Sequence, residues 1–170
     1  MKPNWITKTD PEKHPVRFLA SIWQQRMEAN FEVAVDISPK EKGQLRNLRL
    51  HLGDLTQDVI EWIVDKGNWW HFCQQVKAES PNHLLTDYPD IGFLHLRRGN
   101  VLRAIRSQLQ NTDSELLKRI DDREYQQIKE LLLAAYAEGK PERLAKIEAA
   151  TTLAEIKKLF NEMMDESKAS

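Results

Sequence analysis

Two runs of cations stand out. Lys40, Lys42, Arg46 and Arg49 fall within ten residues, opposed locally by Glu41. Arg97, Arg98, Arg103 and Arg106 lie in a stretch with no acid between Asp90 and Asp113. Positive charges without carboxylates among them can contact phosphates. On a helix, Arg46 and Arg49 sit on one side of the stripe formed by Leu45, Leu48 and Leu52. Arg103 lies opposite Val101, Ile105 and Leu109, and Arg106 flanks them, so both are expected to reach solvent. If the two helices are neighbours, Arg46, Arg49, Arg103 and Arg106 form one patch. The candidate nucleic-acid-binding residues are therefore Lys42, Arg46, Arg49, Arg97, Arg98, Arg103 and Arg106. The competing reading pairs these arginines with Asp54, Asp58, Glu61 and Asp65.

Asn68-Trp69-Trp70-His71-Phe72-Cys73 is the second cluster. Adjacent helical residues point about 100° apart, so two tryptophans are both buried only on a heavily covered helix. Trp69 and Trp70 are candidate docking residues, one of them partly exposed as a base-stacking platform or partner groove. The alternative is a pair of core aromatics plugging a helix junction. Trp23 and Trp62 read as core.

Other chemistries lack their residues. His71 and Cys73, two apart on a helix, diverge by about 200° and cannot share an ion. His14, His51, His83 and His95 have no His at i+4 and no Cys pair nearby. The chain has no phosphate-cradling glycine loop, G-x-S-x-G or H-E-x-x-H. Asp87 and Asp90, across Pro89, read as a turn and a cap. No catalytic residue, metal or cofactor is expected.

Helices must position these residues, and their punctuation is legible. Val16 to Phe31 carries an apolar stripe through Phe18, Leu19, Ile22, Trp23 and Met27. Phe31 to Ile37 alternates like a strand but is isolated, so it reads as an extended connection. Ser38-Pro39-Lys40-Glu41 is a capping-box start, and Gly53 stops that helix. Asp54 with Gln57 opens the next, which stops near Gly67, and Asn68 caps one ending before Pro81. Asp90 caps a segment holding Ile91, Phe93, Leu94 and Leu96. A straight continuation would bury Arg98, so a break at Gly99-Asn100 is expected, or else a kinked helix with the guanidinium snorkelling outward. Thr112 with Glu115 opens a short helix through Ile120, and Asp121 with Glu124 opens another, ended by Gly139. Pro141 restarts a helix, and Thr152 with Glu155 caps the last.

About eight helices joined by short connections predict an all-α protein, a compact orthogonal bundle with a helical C-terminal subdomain and helix over about half the residues. The 170 residues carry 25 Lys+Arg and 26 Asp+Glu, with 41% hydrophobic residues, which excludes a disordered chain. One Cys excludes an internal disulfide framework. All five Trp precede residue 111, residues 1–110 carry a charge of +2 and residues 111–170 carry −3. An aromatic-rich core domain, 1–110, and a C-terminal subdomain, 111–170, follow. Met1 to Lys8 lacks the apolar run of a secretory signal, no segment reaches membrane-spanning length, and the free Cys73 suits a reducing compartment, so a cytoplasmic location is expected.

Ser38-Pro39-Lys40-Glu41-Lys42-Gly43-Gln44-Leu45, Leu52-Gly53-Asp54, Val59-Ile60-Glu61-Trp62-Ile63 and Asn68-Trp69-Trp70-His71-Phe72 together resemble small helical accessory proteins of phage and plasmid replication, the helicase-loader or primosome-organiser class. The resemblance spans residues 16–106 and assigns no individual site residue. It implies a non-catalytic module that touches DNA or a replication protein, without the ATPase motifs of nucleotide-hydrolysing loaders. The expected partners are DNA or RNA and a replication or regulatory protein, with no membrane. The runner-up is a regulator or inhibitor that docks a protein through a tryptophan-bearing groove.

Overall fold

Ser38 Oγ accepts from the Glu41 N–H at 3.3 Å, while the Glu41 carboxylate accepts from the Ser38 N–H at 2.8 Å. With Pro39 at the first helical position, this capping box starts a helix as the sequence predicts. In the computed structural model, which describes residues 10–169, eight helices hold 76% of the described residues, and no strand occurs among them. They are α1 (Pro15–Phe31), α2 (Pro39–Leu52), α3 (Leu55–Ile63), α4 (Lys66–Glu79), α5 (Ile91–Leu109), α6 (Glu115–Tyr136), α7 (Pro141–Ala149) and α8 (Leu153–Ala169). The protein is all-α. No described helix is long and apolar enough to cross a membrane. Trp5 and the reading of Met1 to Lys8 lie outside the described residues.

The chain divides into two compact units, Met1–Thr112 and Asp113–Ser170. In the first, α1, α3 and α5 each pack against α2, and α4 packs against α3 and α5. Leu45, Leu48 and Leu52 of α2 are buried, as are Trp23 and Met27 of α1 and Val59, Ile60, Trp62 and Ile63 of α3. The extended segment after α1 is held by Gln24, whose Nε2 donates to the Val35 carbonyl at 2.9 Å. Asn30 Nδ2 donates to the Val64 carbonyl at 2.7 Å, tying the end of α1 to the end of α3.

A polar ring joins α3, α4 and α5. The buried Trp62 indole N–H donates to Gln108 Oε1 at 2.6 Å. Gln108 Nε2 donates to Asn68 Oδ1 at 3.0 Å, and Asn68 Nδ2 donates to the Trp62 carbonyl at 3.1 Å. A buried indole N–H needs an acceptor, and Gln108 supplies it from α5.

The second unit has its own core of Leu132, Ile147, Ile156, Leu159 and Met163, with Tyr125, Tyr136 and Phe160 packed against it. Tyr125 Oη donates to the Ala150 carbonyl at 2.7 Å, closing the turn between α7 and α8. Glu155 caps α8 as expected: its carboxylate accepts from the Thr151 and Thr152 N–H groups at 2.8 and 3.1 Å, and Thr152 Oγ1 accepts from the Glu155 N–H.

Several expected helix boundaries are corrected. The helix expected to stop near Gly67 ends at Ile63, and Gly67 lies inside α4. Asp54 precedes α3 but makes no side-chain cap bond; it has a helical backbone itself, so its carboxylate is not aimed at the next turn. Asp65, not Asn68, caps α4, its Oδ1 accepting from the Asn68 N–H at 3.0 Å, because the Asn68 amide is committed to the polar ring. No break occurs at Gly99-Asn100. The helix runs on with a kink at Arg97 (φ −107°, ψ 17°), and Arg98 turns its guanidinium to donate to the His95 carbonyl at 2.9 Å, the kinked alternative. Asp121 and Glu124 open no helix: α6 runs from Glu115 to Tyr136 without interruption, and Ser114, not Thr112, stands at its start.

Candidate nucleic-acid interface

The sequence places Lys42, Arg46 and Arg49 at i, i+4 and i+7 of α2. Helical geometry puts three such residues within an arc of about 60°, spread along about 10 Å of axis. All three side chains are exposed. Their stripe runs beside the buried leucines and faces α1. Lys42 and Arg46 line a groove of about 600 Å³ together with Val16, Arg17, Ala20 and Gln24 of α1. Arg49 lines a separate depression of about 210 Å³ with Pro15, Phe18 and Leu19, and there the carboxylate of Asp54 also lines it. Asp36 is the one carboxylate lining the larger groove, against the three cations Arg17, Lys42 and Arg46. Glu41, the acid that the sequence sets among these cations, is folded back onto Ser38, where both its charge and the helix N-terminus are satisfied. The arrangement can attract an extended anion along α2.

The cations of α5 do not join this groove. Arg103 is exposed on the α4 side of α5, where its Nη1 lies 3.8 Å from Glu79 Oε1. The ion pair is at the surface, and pairs of this kind contribute about 0–1 kcal/mol. Arg106 is half-buried rather than solvent-exposed, because it flanks Val101 and Ile105, which are fully buried. Arg98 is half-buried on the His95 carbonyl, and Arg97 is exposed at the kink. The single patch expected from Arg46, Arg49, Arg103 and Arg106 is thus replaced by an α2 stripe facing α1 and an Arg103 site facing α4, although α2 and α5 do pack together. Glu61 of the acidic α3 pairs with Arg26 of α1, a residue outside the candidate set.

The two tryptophans separate cleanly. Trp69 is 4% exposed and stacks among Phe72 and Phe93 at ring centroid distances of 6.0 and 5.6 Å. Its indole N–H donates to the Thr86 carbonyl at 3.3 Å and so staples the loop between α4 and α5. Trp69 is therefore a core residue and no docking residue. Trp70, one position on, is 66% exposed. Known proteins offer no guide here. The chain matches no protein-family model, no curated protein and no solved structure.

Neither the lone cysteine nor the histidines build a second chemistry. Burial pushes the Cys73 thiol above its ordinary value, with the Lys77 charge opposing, so the thiol stays protonated at neutral pH. His71 Nε2 is bonded to Gln75 Nε2 at 3.0 Å. Among the described residues no group of three or more His, Cys, Asp or Glu is placed to hold a metal ion.

Sequence reasoning passed over Arg17, Lys66 and Lys77. Arg17 lies on α1 and carried no visible signal, because what links it to Lys42 and Arg46 is the packing of α1 on α2. Lys66 and Lys77 were findable. They stand four residues before and seven after Trp70, the spacing of one helix face.

Proposed function

We propose that this chain is a non-enzymatic accessory protein that binds nucleic acid in the cytoplasm. Phage or plasmid replication is the setting that the resemblance of residues 16–106 suggests. The observation that supports the reading is the exposed stripe Lys42–Arg46–Arg49, with Arg17 joining Lys42 and Arg46 in a groove whose one acid is Asp36, and with Asp54 beside Arg49 at the far end. Lysine and arginine along one face neutralise phosphates and release counterions, which gives affinity without base recognition. The overall charge of −1 means that binding depends on this local concentration of charge, not on the chain's net field.

The test is fluorescence anisotropy with labelled single- and double-stranded oligonucleotides across a salt series. Four phosphate contacts on duplex DNA give a log–log slope of about −3.6, so affinity falls roughly 150-fold between about 50 and 200 mM salt. Replacing Lys42, Arg46 and Arg49 together by Ala leaves a slope of about −0.9, a fall of about threefold. Wild-type protein that binds neither oligonucleotide at low salt defeats the reading and hands the case to protein docking.

A further inference from the structure

Helix α4 carries a second surface that the α2 stripe does not use. With 3.6 residues per turn, Lys66 and Lys77 project within about 40° of Trp70, and Gln74 does so on the other side. Lys66, Trp70, Gln74 and Lys77 are all exposed. The two carboxylates at the ends of this helix are directed elsewhere: Asp65 is used as the N-cap, and Glu79, nine residues from Trp70, points to the opposite face, where it meets Arg103. The result is a flat apolar ring system in water, with one ammonium group a turn before it and another two turns after it. Along the helix axis the two lysines are about 16 Å apart.

We propose that Trp70 is a stacking platform for an unpaired base, and that Lys66 and Lys77 hold phosphates of the same single strand. This rests on the nucleic-acid reading above and adds to it a site on α4 that takes single strands only. Charge complementarity selects the occupant. An apolar protein groove would gain nothing from two lysines bracketing the indole, whereas a nucleotide presents a π-face with anionic phosphates beside it. A duplex keeps its bases inside the stack, so its π-faces cannot reach Trp70. Trp69 contributes indirectly: buried against Phe72 and Phe93, it anchors the segment of α4 that displays Trp70.

The experiment measures the full chain against a labelled oligothymidine of about 16 nucleotides and a duplex of equal length, the upper end of the usual single-strand site size. Trp70→Ala is expected to weaken oligothymidine binding at least fivefold, the lower bound for losing one stacked base, and to leave duplex affinity unchanged. Trp70→Phe, which keeps a π-face, recovers most of that loss. Lys66→Ala with Lys77→Ala flattens the oligothymidine salt slope by about 1.4. Circular dichroism of each variant checks that the helices persist. If the wild type binds but Trp70→Ala leaves oligothymidine affinity intact, or weakens duplex binding equally, the stacking platform is refuted and the α2 stripe stands. If the wild type binds neither oligonucleotide, both fall.

Discussion

Trp69 and Trp70 are neighbours in sequence with opposite environments, so the same substitution at each should have very unequal consequences for stability. Trp69→Ala empties a site that is 4% exposed, removes edge and face contacts with Phe93 and Phe72, and deletes the bond to the Thr86 carbonyl. Truncating a buried tryptophan costs about 3–5 kcal/mol, and the range already contains its packing. The Thr86 carbonyl lies on an exposed loop and can turn to water, so its loss adds little. Taking about 4 kcal/mol and a urea dependence of about 2 kcal/mol per molar, the unfolding midpoint falls by about 2 M. That is a large part of the roughly 5–15 kcal/mol that holds a domain folded. Trp70→Ala removes a side chain that is 66% exposed and should shift the midpoint by no more than about 0.25 M. Tryptophan fluorescence is the suitable probe. Every tryptophan precedes residue 111, so the signal reports on the Met1–Thr112 unit and ignores unfolding of the other. Equal shifts for the two variants, or an unchanged midpoint for Trp69→Ala, would refute the separation of core and surface tryptophan.

Two further outcomes follow from local chemistry. Gln108→Ala strips the acceptor from the Trp62 indole N–H and, because Gln108 is itself exposed, should cost about 0.5–1.5 kcal/mol in the same fluorescence assay, while Gln108→Glu, which keeps an acceptor, costs less; no shift for the alanine variant counts against the ring. Hydrogen bonds from the Thr151 and Thr152 N–H groups hold the Glu155 carboxyl below its ordinary value. Its contribution to stability is therefore complete above the ordinary carboxylate range and is lost as pH falls through the lowered folded value. Glu155→Gln should destabilise the Asp113–Ser170 unit at neutral pH, with the gap to wild type closing in acid, as read by amide hydrogen exchange of α8 across a urea series. A gap that widens in acid would contradict the cap.

Legibility from sequence followed the range of the interaction. Ser38 with Glu41, Asp90, and Thr152 with Glu155 cap their helices because every atom of a cap lies within four residues, and the sequence prints all of them. Asp121 with Glu124 has the same spacing yet lies inside α6, since the apolar period through Leu117, Ile120 and Ile128 continues across it. A carboxylate on an exposed helix face is indistinguishable from a cap until the preceding backbone is known to leave the helix. Asn68 failed for a different reason: its competing partners, Trp62 and Gln108, are six and forty residues away. The candidate site divides similarly. The α2 stripe was visible as spacing on one helix, whereas the groove needed Arg17 from another. Arg46 and Arg103 form one patch only if α2 and α5 are neighbours; they are neighbours, but Arg46 faces α1 and Arg103 faces α4, and periodicity within one helix carries no information about that.

The two units are contiguous in sequence: no segment of the second is needed to complete the fold topology of the first. Biosynthesis runs from the amino end, so the order of the units becomes an order in time. A ribosome adding about 5–20 residues per second needs on the order of 3–12 s to add the stretch Asp113–Ser170. Helical domains with mostly local contacts close in microseconds to milliseconds. The core around Met27, Leu48 and Ile60 therefore has time to close before α6 to α8 are complete, and the indoles of Trp23, Trp62 and Trp69 spend little of the chain's synthesis in water.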